Sequence, residues 1–552
     1  MRSMLPQLLT LNVTYSEAAS FPSVAPLLIY DAETKEVKSY NGVGTAPSKA
    51  TIELFKEEGF DTVPDLHIWA QLLPASPDMI IRLLQEHGTM SFSEIVEPAI
   101  TLATEGFPVH SMMLNNLDFS LIERIGMSFL LPYNADVYLD GQWWRPLHHG
   151  DRFRLPDLAK TFEELSEVEK QALSSGKSRE ESLQAVRDYF YKGEIADKIA
   201  EFHQDEDGLI TKEDLANYEG KWEDPLTGTF HEYTIFSNQT WNQGGVVSLT
   251  LQILEDIDLK AMGHNSPEYT HTVLQAIELA MADREAYFAD PDFVDVPIEG
   301  LFSKEYAASR RNMLTPGKAY GEMPDYGDPY SFQEKITTRI EPKLELEKNI
   351  NHKETINVGK DTSSITIIDK DGNAVALTPS DFPQSPMIPD TGLNLGIRMT
   401  QFRLDENHIN KLEPGKRPRI TPNPIMLYKD DEFYMTMSTP GGDIQAQAMI
   451  QVILNHVVFG MDIQEAIEAP RFRSYNWPDS FAPHEYNPGT IELEQPLYDE
   501  LKEDMEAMGY SVREKEHWGP QFGGVVAIIK DPTTGKLIGG ADPREESWAI
   551  GK

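Results

Sequence analysis

The chain changes texture abruptly about two thirds of the way along, and that break most constrains what it can fold into. Across residues 315–360 Gly, Pro, Lys, Glu and Asn dominate and apolar residues are sparse. Such a stretch buries too little surface to organise itself, so it reads as a flexible tether on the surface, open to proteolysis. A core hairpin follows at once. Residues 363–368 are rich in β-branched side chains, Asp369-Lys370-Asp371-Gly372-Asn373 is a turn, and residues 374–378 form a second strand. Two registers are open. A three-residue loop sets Asp369 opposite Asn373 and Thr362 opposite Ser380, whereas a two-residue Asp371-Gly372 loop sets Thr362 opposite Asp381. Either register places a polar side chain beside a threonine that starts a core strand behind a cleavable loop.

Composition removes several classes of function. The 552 residues carry 48 Lys+Arg against 89 Asp+Glu, a net charge of −41. A polyanion of this strength repels phosphate backbones and anionic lipid, so neither a nucleic-acid nor a membrane partner is expected. The chain has no cysteine, which excludes disulfides, thiolate metal sites and cysteine nucleophiles. Its 40% apolar content supports a large core.

The apolar run 4–13 is interrupted by Pro6, Gln7, Thr10 and Asn12, too broken for a secretory signal. No stretch approaches the roughly 20 apolar residues that span a bilayer. A cytoplasmic location is therefore expected. Residues 205–214 (DEDGLITKED) resemble a calcium loop, but His203 takes the first ligand position and Asp the last, so a helix starting at Lys212 is the better reading. His148-His149 and His271 lack metal-ligand spacing. No metal and no cofactor are expected. Residues 27–40 read as another hairpin, residues 79–87 and 93–104 as helices, and Ser266 as the start of a long helix whose Val273, Leu274, Ile277, Met281 and Phe288 share one face.

A threonine at the start of a strand, behind a cleavable loop, suits an N-terminal nucleophile. Cutting between Asp361 and Thr362 frees an α-amine with a reference pKa of about 8, which serves as the hydroxyl's own base without a histidine.

The segment from Asp361-Thr362 to Asp369-Lys370-Asp371-Gly372-Asn373-Ala374-Val375 resembles the processing site of γ-glutamyltransferases. Pro414-Gly415-Lys416-Arg417-Pro418, Thr439-Pro440-Gly441-Gly442, Glu468-Ala469-Pro470-Arg471-Phe472 and Gly540-Ala541-Asp542-Pro543-Arg544 resemble further landmarks in the same order, and residues 280–294 (AMADREAYFADPDFV) a large-subunit segment. The resemblance implies an α+β fold, a four-layer αββα sandwich of the N-terminal nucleophile (Ntn) hydrolase type. It implies a zymogen that cuts itself into residues 1–361, with 315–361 as the tether, and residues 362–552. The two chains stay together as a heterodimer that forms one interleaved domain and acts on a small-molecule amide. Thr362 is then the nucleophile, Ser380 the hydroxyl beside it, and Gly441 and Gly442 the oxyanion donors. Those glycines precede a helix read over 443–459, so donors cluster at its N-terminus.

The sequence departs from the family where substrate is held. The arginine expected just before the Ala46-Pro47 pair is missing from Asn41-Gly42-Val43-Gly44-Thr45. The acid expected to hold the α-amine is Gln401, and the paired serines are Ile420 and Thr421. Losing a bidentate carboxylate clamp makes free glutathione a poor substrate, and Arg398 is the candidate replacement cation. The glycine loop resembles the acylase-like branch. Arg398, Gln401 and Thr421 are the expected substrate-binding residues. The competing expectation is a non-catalytic, unprocessed relative acting as a binding protein.

Overall fold

The computed structural model describes residues 4–139, 142–335, 338–344, 362–381 and 384–551. The strands that matter are β1 (Leu27–Asp31), β2 (Glu36–Tyr40), β3 (Trp222–Glu223), β4 (Leu226–Phe230), β5 (Tyr233–Ser237), β6 (Ile365–Ile368), β7 (Ala374–Leu377), β8 (Ile425–Lys429), β9 (Glu432–Ser438), β10 (Val526–Lys530) and β11 (Leu537–Ala541). They form a five-stranded sheet in the order β3-β2-β1-β7-β6 and a six-stranded sheet in the order β11-β10-β9-β8-β5-β4.

Side-chain alternation makes the layers. Leu28, Tyr30, Ala374 and Ala376 turn toward the second sheet and meet Met426 and Phe433. Their neighbours Leu27, Ile29, Val375 and Leu377 turn the other way, into a helical layer. That layer contains α1 (Met4–Thr14), α2 (Phe92–Glu105) and α5 (Pro156–Ser174), and α3 (Leu121–Leu130) and α4 (Pro132–Tyr138) lie between α2 and α5 in the chain. Across the molecule, Ile425, Leu427, Met435 and Met437 pack on α6 (Gly245–Leu254), α7 (Pro267–Tyr287) and α8 (Ile444–Val457). The stack is helix, sheet, sheet, helix, the expected sandwich.

The 362–381 hairpin adopts the three-residue loop. Asp369 N–H donates to the Asn373 carbonyl at 2.9 Å, and Ile365 pairs with Leu377. The same register continues past the regular strands, where Thr362 pairs with Ser380. Gly372 takes a φ of 89°, which an L side chain resists.

The apolar run at the start forms α1, whose Leu5, Leu8 and Leu9 are buried in the first core. Two expectations change. The helix α7 begins at the Ser266 cap as expected, but it is buried on all sides rather than along one face, including Glu278, Asp283, Arg284 and Glu285. It lies between α6, the strand Phe472–Ser474 and the helix Gln495–Met508, so no face is left for water. The first part of the expected tether is packed, with Ala319, Met323 and Tyr330 buried in the second core and Ala319 N–H donating to the Met508 carbonyl at 2.8 Å. Residues 345–361 lie outside the described residues.

The calcium-like stretch is a helix start, in which Thr211 and Asp214 form a reciprocal cap on Lys212–Asn217. His271 is a packed histidine between the Tyr510 hydroxyl and the Thr315 carbonyl, 2.9 Å from each. No helix among the described residues is long and apolar enough to cross a membrane.

Candidate active site

The site is built where strands of both sheets run out at the same end. On the first sheet, β6 and β7 extend backward to Thr362 and forward to Ser380, and Val24 continues β1 as the other neighbour of Ser380. Thr362 Oγ1 and Ser380 Oγ lie 2.8 Å apart in a hydrogen bond, and both residues are buried. On the second sheet, β9 ends at Ser438, whose Oγ is 2.8 Å from Thr378 Oγ1 on the first. Gly441 and Gly442 follow three residues later, so the threonine and the glycine loop share one end of the sandwich.

A continuous hydrogen-bond chain joins the two. Arg398 Nη2 donates to Ser380 Oγ, and Arg398 Nη1 donates to Gln401 Oε1 at 3.2 Å. Gln401 Nε2 reaches Thr421 Oγ1 at 3.4 Å. Gln243 then spans the last step, its Nε2 donating to the Thr421 carbonyl at 2.9 Å and the Gly442 carbonyl at 3.0 Å. Every expected site residue among those described lies in this chain or next to it; Asp361 lies outside the described residues.

Arg398 is fully buried. Its guanidinium carbon stands 5.2 Å from the centre of the Phe481 ring, and its Nε is 3.9 Å from Asp381 Oδ1. Asp381 in turn accepts Ile397 N–H at 3.0 Å and donates its own N–H to the Ala18 carbonyl at 3.1 Å. Gly396 makes this turn possible, because a Cβ there would fall 1.7 Å from the Asp381 carboxylate.

The glycine loop takes a backbone suited to glycine and is well supported. Gly441 and Gly442 have φ of 118° and 66°, values that favour glycine. Among the described residues their N–H groups donate to no protein acceptor. Asp443 sits at the start of α8, where its Oδ1 accepts from Arg284 Nη1 at 2.6 Å and from Ser480 Oγ at 2.6 Å. Arg284 also donates to Gln243 Oε1 at 2.8 Å, fixing that side chain's orientation, and to Glu285 Oε1 at 2.7 Å. Arg419 donates to the same Glu285 oxygen at 2.6 Å. Burial works to raise the Glu285 carboxyl, but Arg419 and Arg284 outweigh it and hold the group well below the usual carboxylate range. Asp443 is likewise lowered, with Arg284 overcoming burial. Nearby Asp479 is pushed up to about 7 by burial and then by the Asp443 charge.

A family model for Gamma-glutamyltranspeptidase matches residues 3–551. The chain belongs to the gamma-glutamyltranspeptidase family. Its sequence is 29% identical to the glutathione hydrolase-like YwrD proenzyme of Bacillus subtilis (strain 168), over 98% of this chain and 92% of that one. Its fold superposes on the solved structure of LmbA2991HD with a TM-score of 0.86 at 28% identity, covering 99% of this chain and 93% of that one. The cephalosporin acylase of Bacillus halodurans shares the fold with a TM-score of 0.81 at 24% identity, covering 98% of this chain and 89% of that one. The four-layer sandwich is therefore that of an Ntn hydrolase, and the chain is an enzyme of the hydrolase and acyltransferase kind found in its family.

The second support of the glycine loop escaped the sequence reading. Gln243 and Arg284 carry it, and both lie in segments with visible signals. Asn242-Gln243-Gly244-Gly245 is a polar, glycine-rich step from β5 into α6, and Arg284 stands inside the family-like ADR triplet at 282–284. Neither signal names a partner. Among the described residues no group of three or more His, Asp or Glu is placed to hold a metal.

Proposed function

We propose that this enzyme cuts itself between Asp361 and Thr362 and then cleaves an amide by way of a Thr362 ester. The Thr362–Ser380 contact of 2.8 Å, in the register that brings a strand-starting threonine beside a second hydroxyl, carries the reading. Thr362 Oγ adds to the amide carbonyl carbon, and its proton passes to the α-amine freed by processing. The carbonyl oxygen gains charge opposite the Gly441 and Gly442 N–H groups, which carry no protein acceptor among the described residues. The amine product leaves with the proton and the acyl group remains on Thr362. Water or a second amine then attacks that ester and restores the hydroxyl.

Arg398 stands behind Ser380 in this reading, with its guanidinium toward Ser380, Gln401 and Phe481. Its Nη2 donates to Ser380 Oγ and its Nη1 to Gln401 Oε1, so it orients the second hydroxyl, in place of the expected role as a replacement cation that clamps the acyl group. The acyl donor is accordingly an amide or γ-glutamyl-like group whose recognition does not rest on a carboxylate–arginine fork.

Intact mass of wild type and Thr362→Ala tests the proposal. Wild type should give fragments of 361 and 191 residues out of 552, while the variant stays full length. One full-length mass for wild type would overturn it, since no α-amine would then exist on Thr362.

A further inference from the structure

Phe481 is half-buried, yet among the described residues it packs into neither main core and into neither of the two smaller apolar clusters. Its ring stands against polar groups of the candidate site instead. The Arg398 guanidinium carbon is 5.2 Å from the ring centre. A Cβ built on Gly442 would meet a single heavy atom within 4 Å among the described residues, Phe481 Cε2 at 3.9 Å. The space beside Gly442 is therefore open except for this ring. The ring reaches from the glycine loop to the cation that donates to Ser380 Oγ. An amide carbonyl attacked by Thr362 and received by Gly442 N–H lies between those same two sides.

The segment that carries the ring is tied down at both ends. Ser480 Oγ donates to Asp443 Oδ1 at 2.6 Å, and Ser480 N–H donates to Asp443 Oδ2 at 3.1 Å, at the start of α8. Phe481 N–H donates to Asp479 Oδ1 at 2.8 Å. Ala482 N–H donates to the Thr400 carbonyl at 2.8 Å, in the short turn Arg398–Gln401. A ring on such a frame is already in place when a ligand arrives, so little freedom is lost on contact. Partly wet aromatic surface on a fixed frame is what small-molecule pockets use for packing.

The wall selects the group it meets. The amine side of the site must open twice, to release the product and to admit water. This side is closed, because Arg398 is fully buried and the segment over it is clamped. The ring therefore meets the acyl group that stays on Thr362. A chain running from Gly442 toward Arg398 reaches the ring before the cation, and Arg398 is already bonded to Ser380 and Gln401. The net charge of −41 disfavours an anionic acyl chain. An uncharged aromatic group suits this wall, since paired rings gain more than their buried area alone. Resting on the self-cleaving reading above, we propose that Phe481 sets acyl specificity, as the platform for an uncharged arylacyl group on the amide that Thr362 attacks.

A para-nitroanilide series that differs only in its acyl group, phenylacetyl, propionyl or γ-glutamyl, tests the proposal. Processed wild type should favour phenylacetyl over each of the others in kcat/KM by about tenfold or more. Phe481→Ala should bring the phenylacetyl-to-propionyl ratio near one, Phe481→Leu should give an intermediate value, and Phe481→Tyr should keep it. A ratio taken within one variant is insensitive to the fraction folded, so a merely structural residue would leave it at the wild-type value. If Phe481→Ala does not fold, the Leu and Tyr variants and the wild-type series carry the comparison. Intact mass separates this proposal from the reading it rests on. Two-chain wild type that turns over phenylacetyl no faster than the others, or not at all, overturns the proposal while self-cleavage stands. A ratio that survives both Phe481→Ala and Phe481→Leu does the same. Wild type that stays full length overturns the self-cleaving reading, and the proposal falls with it.

Discussion

Each half of the candidate site has a fully buried glutamate beside it, and the two are treated in opposite ways. Beneath the glycine loop, Glu285 is surrounded by cations: Arg284 and Arg419 at 2.7 and 2.6 Å and Arg403 at 3.4 Å, with the His408 imidazole, whose pKa burial lowers to about 4, at 3.7 Å. On the Thr362 side, Glu17 lies in the segment whose next residue, Ala18, accepts the Asp381 N–H. Among the described residues neither carboxyl oxygen of Glu17 makes a well-formed hydrogen bond; only its own backbone N–H and the Asn116 amide lie near enough to act on it. Burial pushes its carboxyl up to about 8, against weaker pulls from its own backbone and the Asn116 amide. Burial is nearly the same in both places. What differs is the company, and that decides whether a buried carboxyl is a fixed charge or a titrating group.

The sharpest way to break the contrast is to take a cation from the Glu285 side. Arg284→Ala leaves Asp443 and Glu285 buried with one partner fewer and frees the Gln243 amide. Removing one member of such a buried pair costs about 3–5 kcal/mol. The urea midpoint should fall accordingly with the denaturant slope unchanged. A loss below about 1 kcal/mol would mean that the lattice is not a structural unit.

The Glu17 side predicts a dependence on pH. Its folded pKa lies above its unfolded value near 4.5, so its contribution is fully present below that value and is lost as pH rises toward about 8. Each pH unit in that window costs up to about 1.4 kcal/mol. Glu17→Gln should therefore match wild type near pH 4 and exceed it by on the order of 2 kcal/mol at pH 7. Glu285, held low, gives up its stability only in acid, so a Gln there should not reproduce that rise. Parallel melting curves for wild type and Glu17→Gln across the window would remove the distinction.

The same contrast explains what could be read from the sequence. The hairpin from Thr362 to Ser380 is local: turn chemistry at Asp371-Gly372 and the two-residue period of a strand restrict its register to two, and the three-residue loop decides it. The glycine loop was legible as far as Gly441 and Gly442 because positive φ leaves a mark in residue type. Its support was not, because Gln243 and Gly442 are 199 positions apart and Arg284 and Asp443 are 159 apart. Periodicity carries no information at that range. The burial of α7 on all sides was missed for the same reason, since its charged residues are satisfied by partners on other elements.

Gln243 gives the finest test of how the halves communicate. It is the one side chain described here that bonds both the Thr421 and Gly442 carbonyls, and Arg284 fixes which end of its amide faces them. Gln243→Leu keeps a similar volume but deletes both donors, at a cost of about 1–3 kcal/mol in stability for the carbonyls left bare. If the amide only packs, that loss of stability is the whole effect and turnover is unchanged in the folded fraction. If it holds Gly442 in register with Thr362, kcat falls by about tenfold with KM unchanged, because a loop aimed at developing charge matters only in the transition state. Self-cleavage of Gln243→Leu should slow as well, since the same loop would serve the Asp361 carbonyl during processing. A normal cleavage rate beside a reduced kcat would separate the two reactions and place Gln243 with the substrate step alone.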